Sequence, residues 1–198
     1  MTVFSEGKFF TSIDMAETLR YLGYGRKDIP TEETQTLLDE CQREILSAQD
    51  LRAVYEIYPL KADGDNLDLG FAKLKSHALS LNLKGCDKVL LFVATAGQNV
   101  DRLIVKYSRI SPAKSAIFQA MGASLVESWC DEICKRIRAE YNANTSRFSC
   151  GFGDCPLSLQ KDIFTALDVT KRIGITLSKD FFMTPTKSVS AMVGIKTK

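Results

Sequence analysis

A long run of helix-forming sequence between residues 111 and 141 constrains the fold more than any other feature of this chain. Ser111 followed by Pro112 is typical of a helix start, because a capping side chain precedes a residue whose fixed φ suits the first turn. The pattern predicts one helix of nearly thirty residues, roughly 45 Å long. Its apolar side chains recur on one face at Ile117, Met121, Leu125, Trp129, Ile133 and Ile137.

The rest of the chain alternates predicted helices and strands without the regular rhythm of a doubly wound fold. Further helices are expected at residues 13–22, 31–49, 71–81, 100–107 and 156–167. Strands are expected at residues 52–60, 88–94, 174–177, 181–183 and 188–193, with a turn at 63–66. Because the last strands follow one another directly, antiparallel pairing is favoured.

The predicted fold class is therefore α+β. We expect a single compact domain over residues 1–198, with a largely antiparallel twisted sheet flanked by helices, one of them long. Within it, residues 1–50 are expected to be a helical N-terminal part and residues 51–198 the α+β core.

Composition excludes several classes of protein. The chain has 198 residues, 45% hydrophobic and 25% charged, which is typical of a globular domain and excludes disorder. Lys and Arg number 26 against 24 Asp and Glu, with no concentrated basic face for nucleic acid. The longest apolar run, residues 89–94, is too short to span a membrane, and the N-terminus lacks the features of a signal peptide. We expect a cytoplasmic protein.

A glycine-punctuated loop at residues 147–156 is the best candidate for ligand binding. Arg147 offers a permanent positive charge and a planar fork of donors for a carboxylate or phosphate. Gly151 and Gly153 allow positive φ and close approach of the backbone to a ligand. The alternative is a surface arginine beside an ordinary turn.

Glu127 is the second candidate, because it lies on the long helix among small residues that leave room for a ligand. Its carboxylate could accept hydrogen bonds from an amino group or a ribose. A solvated helix carboxylate is the alternative. The sequence has no Walker-type phosphate loop and no dinucleotide fingerprint.

The chain contains six cysteines, Cys41, Cys86, Cys130, Cys134, Cys150 and Cys155. In a cytoplasmic protein these are expected to be reduced thiols. A metal or redox cluster of the last four is an alternative, although the close spacing of zinc ligands is missing. The only histidine, His77, has no sequence neighbour that would form a nucleophile–base pair with it.

Two segments together resemble the activation domain of cobalamin-dependent methionine synthase. The first is Arg147-Phe148-Ser149-Cys150-Gly151-Phe152-Gly153-Asp154-Cys155-Pro156-Leu157. The second runs from Ile175 to Ser190 and contains Pro185-Thr186-Lys187-Ser188-Val189-Ser190. Relative to the family pattern, Cys150 replaces a proline and Phe152 replaces a tyrosine.

The resemblance implies a site for S-adenosylmethionine without catalytic or metal-binding residues of its own. Arg147 would pair with the methionyl carboxylate, and Glu127 would accept from the amino or ribose groups. Ser149 and Gly151 would contribute backbone hydrogen bonds, and Phe152 an apolar ring.

The resemblance also implies a function. The chain would be a stand-alone reactivation protein that supports reductive methylation of cob(II)alamin on a cobalamin-dependent methionine synthase or another corrinoid protein. The partner would hold the cobalamin, and a flavodoxin-like donor would supply one electron. As a methyltransferase component in methionine biosynthesis, it would act only with its partner. The alternative is a non-catalytic docking or regulatory module for another corrinoid methyltransferase.

Overall fold

A computed structural model describes residues 2–7, 13–141 and 145–197. Its strands are β1 (Thr2–Gly7), β2 (Leu51–Pro59), β3 (Lys61–Asp63), β4 (Asn66–Asp68), β5 (Lys73–Lys75), β6 (Lys88–Thr95), β7 (Thr176–Leu177), β8 (Met183–Thr184) and β9 (Ser188–Ile195). Its α-helices are α1 (Met15–Tyr21), α2 (Glu32–Ala48), α3 (His77–Asn82), α4 (Gln98–Ile110), α5 (Pro112–Tyr141), α6 (Gln160–Ala166) and α7 (Val169–Ile173).

Four strands form the central sheet in the order β1-β2-β6-β9. Tyr55 lies opposite Phe92, which lies opposite Ala191, so these three side chains share one face of the sheet. Val54 and Met192 point to the other face. Every strand pairing among the described residues is antiparallel, which confirms the predicted sheet type.

Helices cover both faces of this sheet, and each face has its own apolar core. On the face of Phe92 the core is completed by α1, α2, α4 and α5. On the face of Met192 it is completed by α3, α6, α7, the small sheet β3-β4-β5 and the segment 148–155. Because both faces are covered, residues 89–95 of β6 are all buried.

The long helix is confirmed as α5, with 30 residues. All six apolar positions of its predicted stripe are buried, as expected for a helix packed along one face. None of the helices in the described part of the chain is both long enough and apolar enough to cross a bilayer.

Two local predictions were wrong. Residues 71–81 do not form one helix: Lys73–Lys75 is strand β5, and α3 begins only at His77. The boundary is set by Ser76, whose hydroxyl accepts from the N–H of Leu79 at 3.2 Å and caps the helix. The N-terminal part is not helical throughout either, since Thr2–Gly7 pairs with β2.

Candidate functional site

The candidate site lies where the outer edge of β9 meets the middle of α5. Phe148 and Met192 form an isolated antiparallel bridge, with N–H to carbonyl distances of 2.9 and 2.8 Å. This bridge adds the segment around Phe148 to the free edge of the sheet. It thereby holds Arg147 and Ser149 beside the α5 turn that carries Glu127.

Arg147 is the electrostatic centre of the site. Its guanidinium contacts the Glu127 carboxylate at 2.9 Å and the Asp131 carboxylate at 3.0 Å. A further N–H donates to the backbone carbonyl of Glu127 at 3.4 Å. Burial disfavours the charge, but the neighbouring negative groups, Asp131 and Glu127 among them, raise the pKa of Arg147 above its usual value. The guanidinium stays charged, with more donors than these contacts use.

Two cavities adjoin at this ion pair, since Glu127 and Arg147 line both. One has a volume of about 280 Å³ and is lined by Glu127, Arg147, Phe148, Ser149, Phe152, Val189 and Ala191. The other has a volume of about 240 Å³ and is lined by Asp14, Glu17, Tyr21, Ser124, Glu127, Ser128, Asp131 and Arg147. The first is mostly apolar and the second is rich in carboxylates.

Asp14 reaches the second cavity because α1 is tied to α5. The Ser124 hydroxyl donates to the backbone carbonyl of Asp14 at 2.8 Å. The Asp14 carboxylate accepts from the N–H of Glu17 at 3.0 Å and so caps α1. A helix cap is thus also part of the cavity wall.

The glycine loop is held against α3 by hydrogen bonds to Asp154. The Asp154 carboxylate accepts from the Ser76 hydroxyl at 2.7 Å and from the N–H groups of His77 and Ala78 at 2.7 and 3.0 Å. Gly153 has a φ of +56°, and a Cβ there would lie 2.6 Å from the Cβ of Ala78. Both features require close contact between the loop and the first turn of α3.

Because Asp154 holds the loop to α3, the stability of the native state is expected to fall when this carboxylate is protonated in acid. The hydrogen bonds from Ser76, His77 and Ala78 lower the pKa of Asp154 to about 2, below the value of about 3.9 for an unfolded chain. Because the folded value is depressed, the carboxylate stabilises the native state fully above about pH 4, and this contribution is lost as the pH falls towards about 2. Urea unfolding should show Asp154→Asn less stable than wild type near neutral pH, with the difference shrinking in acid.

The control for this experiment is Asp63→Asn, which changes an exposed carboxylate at the end of β3. It should follow the wild-type pH profile. A difference between Asp154→Asn and wild type that stays constant down to about pH 2 would contradict the role assigned to the Asp154 charge.

Comparison with known proteins places the chain in a family. The family model described as vitamin B12 dependent methionine synthase, activation domain, matches residues 74–198, more than half of the chain. The chain belongs to this family. The solved structure described as the MetH reactivation domain bound to AdoHcy matches with a TM-score of 0.76 at 17% identity, over 100% of this chain and 79% of that one. It confirms the fold. No curated protein matches.

Within this activation domain, four of the five predicted site residues line the first cavity: Glu127, Arg147, Ser149 and Phe152. Gly151 is not among the described residues that line it, and its N–H donates to the carbonyl of Cys155 at 3.0 Å. That amide is therefore used inside the loop. The sequence also assigned Arg147 and Glu127 to a ligand, whereas here they contact each other. Their ligand roles remain predictions.

Sequence reasoning missed Asp14, Asp131, Val189 and Ala191 of the activation domain's two cavities. A signal existed for Asp131, which lies one helical turn after Glu127 on the same face of α5. Asp14 looks like an ordinary helix cap, and only its contact with Ser124 shows where it lies.

The four cysteines considered for a metal or redox cluster fall into two separate pairs. Cys130 and Cys134 belong to the core on the Phe92 face of the sheet, and Cys150 and Cys155 to the core on the other face. In the residues that the structure describes, no group of three or more His, Cys, Asp and Glu side chains is arranged to hold a metal ion.

Proposed function

We propose that this activation domain binds S-adenosylmethionine and supports the reactivation of a cobalamin-dependent methionine synthase by reductive methylation. Membership of the family supports the reactivation role, and the solved MetH reactivation domain, bound to AdoHcy, supports a ligand of this class. The observation in this chain that carries the proposal is Arg147 between two carboxylates, at the junction of an apolar and an acidic cavity.

This arrangement suits a zwitterion. A ligand carboxylate would use free donors of Arg147 in a charge-assisted pair. The ligand ammonium group would in turn find the carboxylates of Glu127 and Asp131 close to that cation. A simple anion gains only the first contact and is repelled by the two acids. The methionyl end of S-adenosylmethionine carries both charged groups.

The acidic cavity also favours a positively charged ligand. Four carboxylates line it, those of Asp14, Glu17, Glu127 and Asp131. Arg20 pairs with Glu17 and Arg147 with Glu127 and Asp131, so the carboxylates still outnumber the cations by two. The resulting negative potential attracts the sulfonium of S-adenosylmethionine in addition to its ammonium group. AdoHcy lacks the sulfonium charge, so we expect it to bind less tightly.

The apolar cavity suits the rest of the ligand or the face of a corrinoid. Phe148 and Phe152 approach each other edge to face, with ring centroids 6.5 Å apart. Phe152 is 67% exposed, although a large aromatic side chain gains most from burial. A bound ligand or partner would cover it. Each cavity alone is smaller than the roughly 300–1,000 Å³ of typical ligand pockets, so we expect the ligand to span both.

In the proposed reaction, S-adenosylmethionine would supply the methyl group for a cobalamin held by a partner and would leave as AdoHcy. A flavodoxin-like donor would supply the one electron that cob(II)alamin needs. The residues of this chain would bind and orient S-adenosylmethionine. Arg147 would pair with its carboxylate, and Glu127 would accept hydrogen bonds from its amino or ribose groups. Ser149 and Phe152 would contact the rest of the ligand. We place this role in the cytoplasm, where the six thiols would stay reduced.

Isothermal titration tests the ligand. We expect S-adenosylmethionine to bind the reduced protein, AdoHcy to bind more weakly, and adenosine, which lacks both charged groups of the amino acid, to bind least. Absence of S-adenosylmethionine binding, with or without a corrinoid protein present, would overturn the proposal. Binding of a corrinoid protein alone would instead support a docking module.

A further inference from the structure

A third cavity, with a volume of about 610 Å³, lies at one end of the central sheet. It is lined by residues 57–59 of β2, Lys88 of β6, the last two residues of α5 and residues 195–197, and we call it the end-of-sheet cavity. It is larger than either cavity of the candidate site and shares no lining residue with them. Along the axis of α5, its last residue Tyr141 lies about 15 Å beyond Asp131.

This cavity forms because three strands of the central sheet are level at one end. Pro59 of β2 pairs with Lys88 of β6, which in turn pairs with Ile195 of β9. The chain just beyond β9 is fixed at the same level, since the N–H of Thr197 donates to the Asp87 carboxylate at 2.6 Å. The cavity therefore lies between a fixed sheet end and the last turn of α5.

The wall of the end-of-sheet cavity is largely apolar and is already in place. The Tyr58 hydroxyl donates to the carbonyl of Ala166 at 3.2 Å, and its ring lies 5.1 Å from that of Phe71, so this side chain is held at both ends. Ile195 is part of the apolar core, and Tyr141 packs against the same core. The volume lies within the roughly 300–1,000 Å³ of typical ligand pockets, and a preformed wall lowers the entropic cost of binding.

The charged side chains of this cavity favour an anion. Two cations line it, Lys88 and Lys196, against one carboxylate, Glu140, and all three residues are exposed. Lys88 makes no salt bridge or side-chain hydrogen bond with any residue that the structure describes. A lysine can lay its aliphatic stem along an apolar wall while its ammonium group stays in water at the rim. That ammonium is therefore free to pair with an anionic group of a ligand.

We propose that the end-of-sheet cavity is a second binding site, for an amphiphilic carboxylate with a flat apolar body. The body would lie against Tyr58, Tyr141 and Ile195, and the carboxylate would reach the Lys88 ammonium at the rim. A neutral ligand of the same shape would gain only the apolar contacts. S-adenosylmethionine does not suit this cavity, because it carries two positive groups and the lining has a surplus of cations. The site is thus independent of the proposed function.

Fluorescence titration with pyrenebutyrate tests the ligand class, with pyrenebutanol as its uncharged counterpart. We expect the 198-residue chain to bind pyrenebutyrate about tenfold more tightly than pyrenebutanol, because only the carboxylate pairs with the ammonium. Lys88→Gln should bring the affinity for pyrenebutyrate down to about that for pyrenebutanol. Lys84→Gln, which changes an exposed lysine outside the cavity, should bind both compounds like wild type.

Nuclear magnetic resonance of the backbone amides tests the location. Pyrenebutyrate should shift the amide signals of residues 195–197 and leave those of Arg147 and Ser149 in place. Equal affinity for the acid and the alcohol, or unchanged affinity for the acid in Lys88→Gln, would overturn the proposal. Shifts confined to residues 147–152 would overturn it as well, because the probe would then occupy the candidate site. None of these measurements uses S-adenosylmethionine, so their outcome does not depend on the proposed function.

Discussion

Replacing Arg147 with alanine is expected to weaken S-adenosylmethionine binding by about 1.5–3 kcal/mol, the usual contribution of hydrogen bonds to a charged group. This corresponds to a dissociation constant roughly ten to a hundred times larger. The variant loses the only cation that lines either cavity among the described residues. It also leaves Glu127 and Asp131 without the charge that offsets their repulsion of the ligand carboxylate. Isothermal titration of the reduced protein measures the change.

Two further variants make this result specific to the Arg147 guanidinium. Arg172→Ala removes an exposed arginine of α7 and should leave the affinity unchanged. Arg147→Lys keeps the charge but loses the planar fork, so it should fall between wild type and alanine. Because the side chains of Glu127 and Asp131 are 42% and 74% exposed, the loss of Arg147 should change stability little. Unchanged affinity in Arg147→Ala would mean that the ligand is bound elsewhere.

The helix α5 was predictable because its signals are local and repeated. Ser111 and Pro112 mark its start, and the apolar stripe that follows recurs over about six turns of one helix. Each apolar position of the stripe supports the same helix, so the prediction would stand even if one of them were misread. The buried strand β6 was predictable for a related reason, since an unbroken apolar run of strand length suits a sheet covered on both faces.

The strands β1 and β5 were not predicted, because their pairing depends on distant residues. Lys73–Lys75 is a strand through its pairing with β4, and the alternation of Lys, Leu and Lys is too short to distinguish a strand from a helix. Thr2–Gly7 likewise pairs with β2 across about fifty residues. The hydrogen bonds of Asp154 to the first turn of α3 bridge more than seventy residues, so no local pattern indicates them.

The candidate site was half predictable. Arg147, the glycines and Glu127 stand out in the sequence itself, and the family resemblance adds the ligand that they would bind. The contact between Arg147 and Glu127 does not follow from either segment, because it depends on the bridge between Phe148 and Met192. The acidic cavity could not be predicted from the sequence, because its carboxylates come from α1 and α5 and only the packing of the core brings these helices together.

The largest effect on stability is expected for Trp129→Ala, because Trp129 is the bulkiest side chain in the core. It is fully buried on α5 between the helices and the sheet. Its indole N–H also donates to the carbonyl of Arg52 on β2 at 3.4 Å. Truncation leaves a cavity and removes this hydrogen bond, which together should cost about 3–5 kcal/mol. Urea unfolding near neutral pH measures the loss.

Two substitutions locate the origin of that loss. Trp129→Phe keeps most of the buried volume and should cost much less than Trp129→Ala. Val105→Ala truncates a side chain that is 62% exposed on α4, so it should change the free energy of unfolding by about 0.5 kcal/mol at most. Because Glu127 lies on the same turn of α5 as Trp129, the alanine variant should also weaken S-adenosylmethionine binding while the Val105 control does not. Stability close to wild type in Trp129→Ala would mean that α5 is held to the sheet by its other apolar side chains, and that the position of Glu127 does not depend on Trp129.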